Sequence, residues 1–436
     1  MKTIIKKAAL AAAIISAPLA ASATDLVGGG ASLPALAYVG DNFTTTTPES
    51  RLSTDAGLFA GFDPSFIPYQ QTTVNAGSIF GIFNAGSDSA SYCQTGSGTG
   101  KRVLVGISGF SADGDCRDYS ASPVGFSAPV GQSRPDFIGS DAPLTADNVD
   151  DFVNGPNAAG DGIFQMPALG ALIALPVNLT GSSRPDLSNQ QVCEIFSGTS
   201  QTWNDVDGSL PTQPIHVIVR QDTSGTVFAF TQYLAATCNG NFGLASNFFK
   251  TSESFTAAIS PEVPTGPNGL YASYSEEPGN AGVVSGVSAN AWSIGFANLA
   301  NVLDASQDYA DVNSTDPATV TSVNYGIGDL LPNTVLGNVN PNTGLPQTQT
   351  VSDIPVSNPN TPDGCVNVID PAAQLNQGYP IAAVTNLLGY TANNADPQAL
   401  RALAREVVNG SGSLPTGYVR LGTASAMDQL AGTCIN

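Results

Sequence analysis

Four short segments of the 436-residue sequence concentrate its polar chemistry: Ala31-Ser32-Leu33, Gly96-Ser97-Gly98-Thr99-Gly100, Ser140-Asp141, and Arg220-x-Asp222-x-Ser224-Gly225-Thr226. Singly, Ser and Thr beside glycine are ordinary turn residues. Together they supply what a tetrahedral oxyanion needs. Glycine lets the backbone approach closely, hydroxyls and helix-start amides donate to the oxygens, and one guanidinium offers a directional double donor. Gly96 to Lys101 also suggests a nucleotide loop, but Thr95 and Arg102 stand where the Walker pattern requires Gly and Ser or Thr. The single histidine, His216, argues against a His-rich zinc site and a Ser-His-Asp triad. It is read as a structural residue, with no metal.

These segments need elements to hold them. Asp25 to Pro34 reads as a short strand whose three glycines lead into a turn. Tyr92 to Val105 has apolar ends around a glycine-rich turn, and its second part can open a helix. Asp136 to Thr145 is a short apolar strand breaking at Gly139, and Thr145 can cap a helix to about Phe152. Gln165 to Asn178 is apolar enough for burial on both faces, as in a parallel sheet with helices outside. Ser188-x-x-Gln191 is a capping box for a helix to about Phe196, stopped at Gly198. Pro214 to Arg220 is a strand, followed by a polar turn and an amphipathic helix to about Cys238 with Val227, Phe230 and Leu234 on one side. Strand, glycine turn, helix is an α/β ligand-site arrangement.

Residues 255 to 290 are rich in Gly, Pro and Ser and read mostly as loop. Trp292 to Ala300 is a strand entering a turn. The stretch 304–375 lacks periodicity and reads as an irregular insertion. Tyr379 to Leu388 reads as the last strand. Asp396 caps a helix that starts at Pro397 and stops at Gly410, with Leu400, Leu403, Ala404 and Val407 on one face.

Composition narrows the classes. With 42% apolar residues a real core is within reach, and only 11% of residues are charged. Lys plus Arg number 14 against 35 Asp plus Glu, which argues against nucleic acid and anionic membranes as partners. A local cluster of backbone N–H groups can still hold a small anion. Residues 1–23 read as a signal peptide: Lys2, Lys6 and Lys7, an apolar run from Ala8 to Ile15, and the Ala21-Ser22-Ala23 cleavage site. No later run is long enough to span a bilayer. The expected product is soluble, unanchored, monomeric, and periplasmic or secreted. Export also makes an even set of six cysteines a disulfide framework with fifteen possible pairings. The sequential one is expected: Cys93–Cys116, Cys193–Cys238 and Cys365–Cys434.

In this order the four segments resemble the phosphate-binding proteins of bacterial phosphate ABC importers. The resemblance is to their DING-like subgroup, whose mature chains begin Asp-Ile-Asn-Gly-Gly-Gly; here the opening is Asp25-Leu26-Val27-Gly28-Gly29-Gly30. It is strongest over 25–34, 92–101, 136–240 and 379–410. It implies a two-lobed α/β fold of the type II periplasmic-binding-protein class, with the ligand cleft between lobes. Lobe 1 would be 24–166 plus 379–436, and lobe 2 would be 167–378 including the 304–375 insertion. Carried over by position, Ser32, Leu33, Ser97, Gly98, Asp141, Arg220, Ser224, Gly225 and Thr226 would bind inorganic phosphate, with Asp222 orienting Arg220. Asp141 would accept the phosphate proton, which sulfate lacks. Ser32 and Leu33 stand where many relatives have Thr and Phe. The Cys193–Cys238 pair also resembles the subgroup. A phosphate ABC permease is the implied partner, and no cofactor is implied. A secreted phosphomonoesterase with alkaline-phosphatase-like activity is the alternative, and surface adhesion, suggested by 304–375, is a third reading.

Overall fold

The structure, a computed structural model, describes residues 24–40, 51–52, 74–116, 122–181, 184–259, 269–323, 325–354, 361–374 and 378–436. Residues 1–23, read as a signal peptide, and the Thr-rich stretch at 44–48, which reads as a surface loop, lie outside them.

One sheet organises the described chain. Its central path runs Ser273–Glu277, His216–Arg220, Ser293–Gly295, Ile163–Asn178, Ala382–Tyr390, Phe137–Ser140, Asp25–Gly30, Ser89–Gln94 and Arg51–Leu52. At one end, Asp25–Gly30 lies parallel to both Ser89–Gln94 and Phe137–Ser140. At the other, His216–Arg220 lies parallel to both Ser273–Glu277 and Ser293–Gly295. Parallel neighbours need crossovers, and helices lie in them: Ala35–Val39 and Ile79–Phe83 between Asp25–Gly30 and Ser89–Gln94, with Ser97–Val105 in the return to Phe137–Ser140, and Gly225–Cys238 and Gly279–Ala289 at the second end. The two parallel sets are the sheets of two lobes, joined by an antiparallel middle.

That middle corrects the parallel reading of Gln165 to Asn178. Ile163–Asn178 is buried along nearly its whole length, as expected, yet its main-path partners Ala382–Tyr390 and Ser293–Gly295 run antiparallel. Burial on both faces sets composition but not strand direction. Ala382–Tyr390 is also not the last strand, because Tyr418–Arg420 pairs with the same long strand and the helix Ala424–Cys434 follows. The glycines of Asp25–Gly30 belong to the strand itself rather than a turn. A β-carbon at Gly28 would collide with the Phe137 ring, and one at Gly29 with Phe126.

Each lobe packs around aromatic side chains. Tyr38, Phe80, Tyr92 and Phe137 contact one another in the first. Phe196, Phe230, Phe255 and Phe296 do so in the second. The helix Gly225–Cys238 is buried almost all round, not on one face as its apolar spacing suggested. The loop reading of 255 to 290 is wrong. Phe255–Ile259, Ser273–Glu277 and Gly279–Ala289 are regular, and the last is a buried helix of small residues. Glycine allows its close packing: a β-carbon at Gly286 would lie 3.0 Å from Glu277 Cγ, and one at Gly295, on the neighbouring strand, 2.8 Å from Val283 Cγ1.

The 304–375 segment carries short strands of its own. Tyr309–Val312 joins the main sheet, Leu330–Pro332 pairs with Asn367–Ile369, and Thr334–Val339 forms a hairpin with Pro346–Thr350. The hairpin reaches both lobes. Leu336 N–H bonds to the Leu144 carbonyl at 2.9 Å, while Thr251 N–H bonds to the Gly344 carbonyl at 2.8 Å. Disulfides join Cys93 to Cys116, Cys193 to Cys238 and Cys365 to Cys434.

Candidate anion site between the lobes

The site residues sit at the carboxyl ends of the parallel strands, where helix starts and turns expose backbone amides. Ser32 and Leu33 follow Asp25–Gly30, Ser97 opens its helix three residues after Ser89–Gln94, and Asp141 follows Phe137–Ser140. Facing them, Arg220 ends its strand, and Ser224 caps Gly225–Cys238 by accepting from Thr226 N–H at 3.1 Å. The structure therefore brings all four segments into one place.

Hydrogen-bond direction gives this cluster its character. Ser97 Oγ accepts from Asp141 N–H at 3.0 Å and from Gly225 N–H at 3.1 Å, so it spans both lobes. Ser32 Oγ accepts from Asn280 Nδ2 at 3.3 Å. Thr226 Oγ1 accepts from Arg220 Nη1 at 3.5 Å. Ser224 Oγ accepts as its helix cap. All four hydroxyls are buried. Each spends lone pairs on the chain and keeps an O–H to donate.

The guanidinium of Arg220 is fixed. Nε donates to Asp222 Oδ1 at 2.8 Å and Nη2 donates to Asp222 Oδ2, a bidentate pair. Nη1 donates to Asn280 Oδ1 at 3.2 Å. Asp222 Oδ1 also accepts from Gly279 N–H at 3.0 Å. Asp141 is the contrast: it is buried, and neither carboxylate oxygen has a donor among the described residues. Burial pushes its carboxyl well above the ordinary range; Arg220 and Lys101 oppose that shift and Glu253 adds to it. A buried acceptor beside four buried donors and a fixed guanidinium suits an anion that carries one proton.

Some expected residues contribute differently. The Leu33 side chain lies in the core, and its carbonyl accepts from Asn298 Nδ2 at 3.0 Å and from the Tyr418 hydroxyl. Gly98 provides clearance, since a β-carbon there would lie 2.7 Å from Thr223 Cβ. Gly225 does the same, with a β-carbon 2.6 Å from Ser97 Oγ and 2.8 Å from Ala142 N across the cleft. Its amide is engaged by Ser97, so the hydroxyls carry much of the donation. His216 contacts Ser275 Oγ at 3.1 Å, outside the site.

Asn280, Lys101 and Glu253 escaped the sequence reading. Asn280 lay in a stretch read as loop, although Glu277-Pro278-Gly279-Asn280 repeats the strand, turn, helix order of Arg220 to Thr226. Lys101 reads in the sequence only as the end of a nucleotide-like loop, and in the structure it pairs with Glu253 at 2.8 Å.

Comparison with known proteins bears on the fold that holds this site. A model described as a PBP superfamily domain matches residues 27–343. The protein named alkaline phosphatase L from Pseudomonas aeruginosa PAO1 is 26% identical over 329 residues, 75% of this chain and 71% of that protein. The phosphate-binding protein PstS 3 of Mycobacterium leprae is 30% identical over 141 residues, 30% of this chain and 37% of its own. Among solved structures, the high-affinity periplasmic phosphate-binding protein PfluDING, bound with phosphate, superposes with a TM-score of 0.55 at 23% identity, covering 94% of this chain and 92% of its own. A phosphate-binding protein from Stenotrophomonas maltophilia gives 0.53 at 21% identity, covering 95% and 91%. At these identities the likeness is one of fold.

Proposed function

The chain belongs to the PBP superfamily, and from that premise we propose that it captures inorganic phosphate, as hydrogen phosphate, in the cleft between its lobes. The observation that carries this reading is the set of four buried hydroxyls, each accepting from the chain and left with a hydrogen to give, around the fixed Arg220. In this reading Ser32, Ser97, Ser224 and Thr226 donate to phosphate oxygens with Arg220 and the Leu33 amide. Gly98 and Gly225 let the walls meet, and Asp222 orients the guanidinium. Asp141 accepts the proton that hydrogen phosphate carries. Sulfate has no such proton, so its oxygens would face a buried carboxylate with nothing to share.

The division into 24–166 plus 379–436 and 167–378 goes with this reading, supported by the two parallel strand sets. The strand Ile163–Asn178 crosses that boundary, and the hairpin 334–350 touches both sides of it. Among the described residues no helix is long and apolar enough to cross a membrane. Extracytoplasmic capture for an ABC permease is the biological setting we propose.

The similarity to alkaline phosphatase L over 75% of the chain favours a second reading, a phosphomonoesterase. A serine nucleophile needs a base to take its proton. Ser97 Oγ has two backbone amides as partners instead, and neither is a base. Calorimetric titration of ligand-stripped protein with phosphate and sulfate tests the first reading: a preference for phosphate of at least about a hundredfold is expected. Equal affinities, or none, would overturn it. Hydrolysis of p-nitrophenyl phosphate that persists through purification and vanishes in Ser97→Ala would establish the second.

A further inference from the structure

Lys101 and Glu253 form an ion pair from opposite walls of the cleft. Lys101 lies one turn into the helix that Ser97 opens, and Glu253 belongs to the segment beneath the start of Gly225–Cys238, where its carbonyl accepts from Ser224 N–H at 2.9 Å. The ammonium is 2.8 Å from Glu253 Oε2 and also donates to the Pro143 carbonyl at 3.4 Å, two residues beyond Asp141. The Lys101 side chain is only 4% exposed and that of Glu253 22%. A buried ammonium is costly without a partner, whereas separation of the walls would return both charges to water.

Resting on the phosphate reading, we propose that Lys101 and Glu253 are positioning residues for phosphate retention: their ion pair latches the two walls around the bound anion. The pair takes no part in contacting the ligand. Its effect falls on release, because the latch completes only after the anion has entered and the walls have met.

Glu253 makes the inference testable. As an isolated negative charge near the site it opposes an incoming anion, so a role through charge alone requires Glu253→Gln to tighten phosphate binding. A latch requires the reverse. Stopped-flow and equilibrium measurements with inorganic phosphate would compare wild type, Lys101→Met, Glu253→Gln and the double variant, with thermal unfolding of the ligand-free proteins as a fold control. The latch predicts release about tenfold faster in each single variant, association nearly unchanged, and a double variant no worse than the singles. Lys101→Arg should restore slow release. Tighter binding by Glu253→Gln, single effects that simply add, or release rates equal to wild type would overturn the latch and leave the phosphate reading standing. A wild type with no phosphate affinity would overturn both.

Discussion

Asp141 holds a carboxylate where a folded chain would ordinarily avoid one: buried, with no donor among the described residues to either oxygen. Its elevated proton affinity has a consequence for stability. The folded state binds the proton more tightly than the unfolded chain, whose aspartate titrates near the ordinary 3.8. Stability of the ligand-free protein therefore falls as pH rises from that value toward the higher folded one, and stays low above it. Asp141→Asn removes this penalty. The ligand-free variant should melt above wild type at pH 7, with the gap closing near pH 4. Its phosphate binding should weaken by roughly 1.5–3 kcal/mol, and the preference over sulfate should narrow. Differential scanning calorimetry and titration calorimetry read the two effects. A variant that melts lower at every pH would make Asp141 a structural residue.

At the scale of elements, the helix Gly225–Cys238 brings its first turn against the opposite wall. Gly225 is the first residue of its helix, and alanine, the better helix former, is tolerated there when nothing intervenes. What intervenes is Asp141 Cβ, Ser97 Oγ and Ala142 N, across the cleft. Gly225→Ala should therefore fold with stability equal to or above wild type yet fail to close, losing most phosphate affinity. Small-angle scattering with excess phosphate should show wild type contracting and the variant unchanged. Normal affinity in this variant would mean that the walls need not meet there. Helix starts are otherwise well marked in the sequence: Thr145, Ser188 and Asp396 cap as expected, and Ser224, read there only as part of a polar turn, caps as well.

For the whole molecule, the described residues 330–354 and 361–369 act as a strap. Its hairpin bonds to Leu144 in one lobe and to Thr251 in the other, and Gln165 of the long middle strand donates to the Asn367 carbonyl at 2.9 Å. Cys365–Cys434, with a sequence separation of 69, anchors the strap to the final helix. Replacing both cysteines by serine should lower the unfolding free energy by about 2–4 kcal/mol, measured by guanidinium titration. Phosphate in excess should recover part of that loss by mass action if the cleft still closes. No change in the midpoint would mean that the strap is held by its hydrogen bonds and packing alone.

The sequence by itself determined the local grammar of this protein. Cap residues, glycine turns and apolar runs are short-range signals, so the strands leading to Ser32 and Asp141 and the one ending at Arg220 are legible, as is the list of groups able to hold an oxyanion, whereas the strand Ser89–Gln94 before Ser97 is not. The resemblance ordered those groups into one site. Only the tertiary structure decided the direction in which they bond. That Ser97 Oγ accepts from both walls, that Asn280 links Ser32 to Arg220, and that Lys101 meets Glu253 depend on residues up to 248 positions apart. The same distance hid the strap and the antiparallel middle of the sheet. Composition reports whether a residue is buried, but its partner is chosen by how the lobes and their crossovers pack.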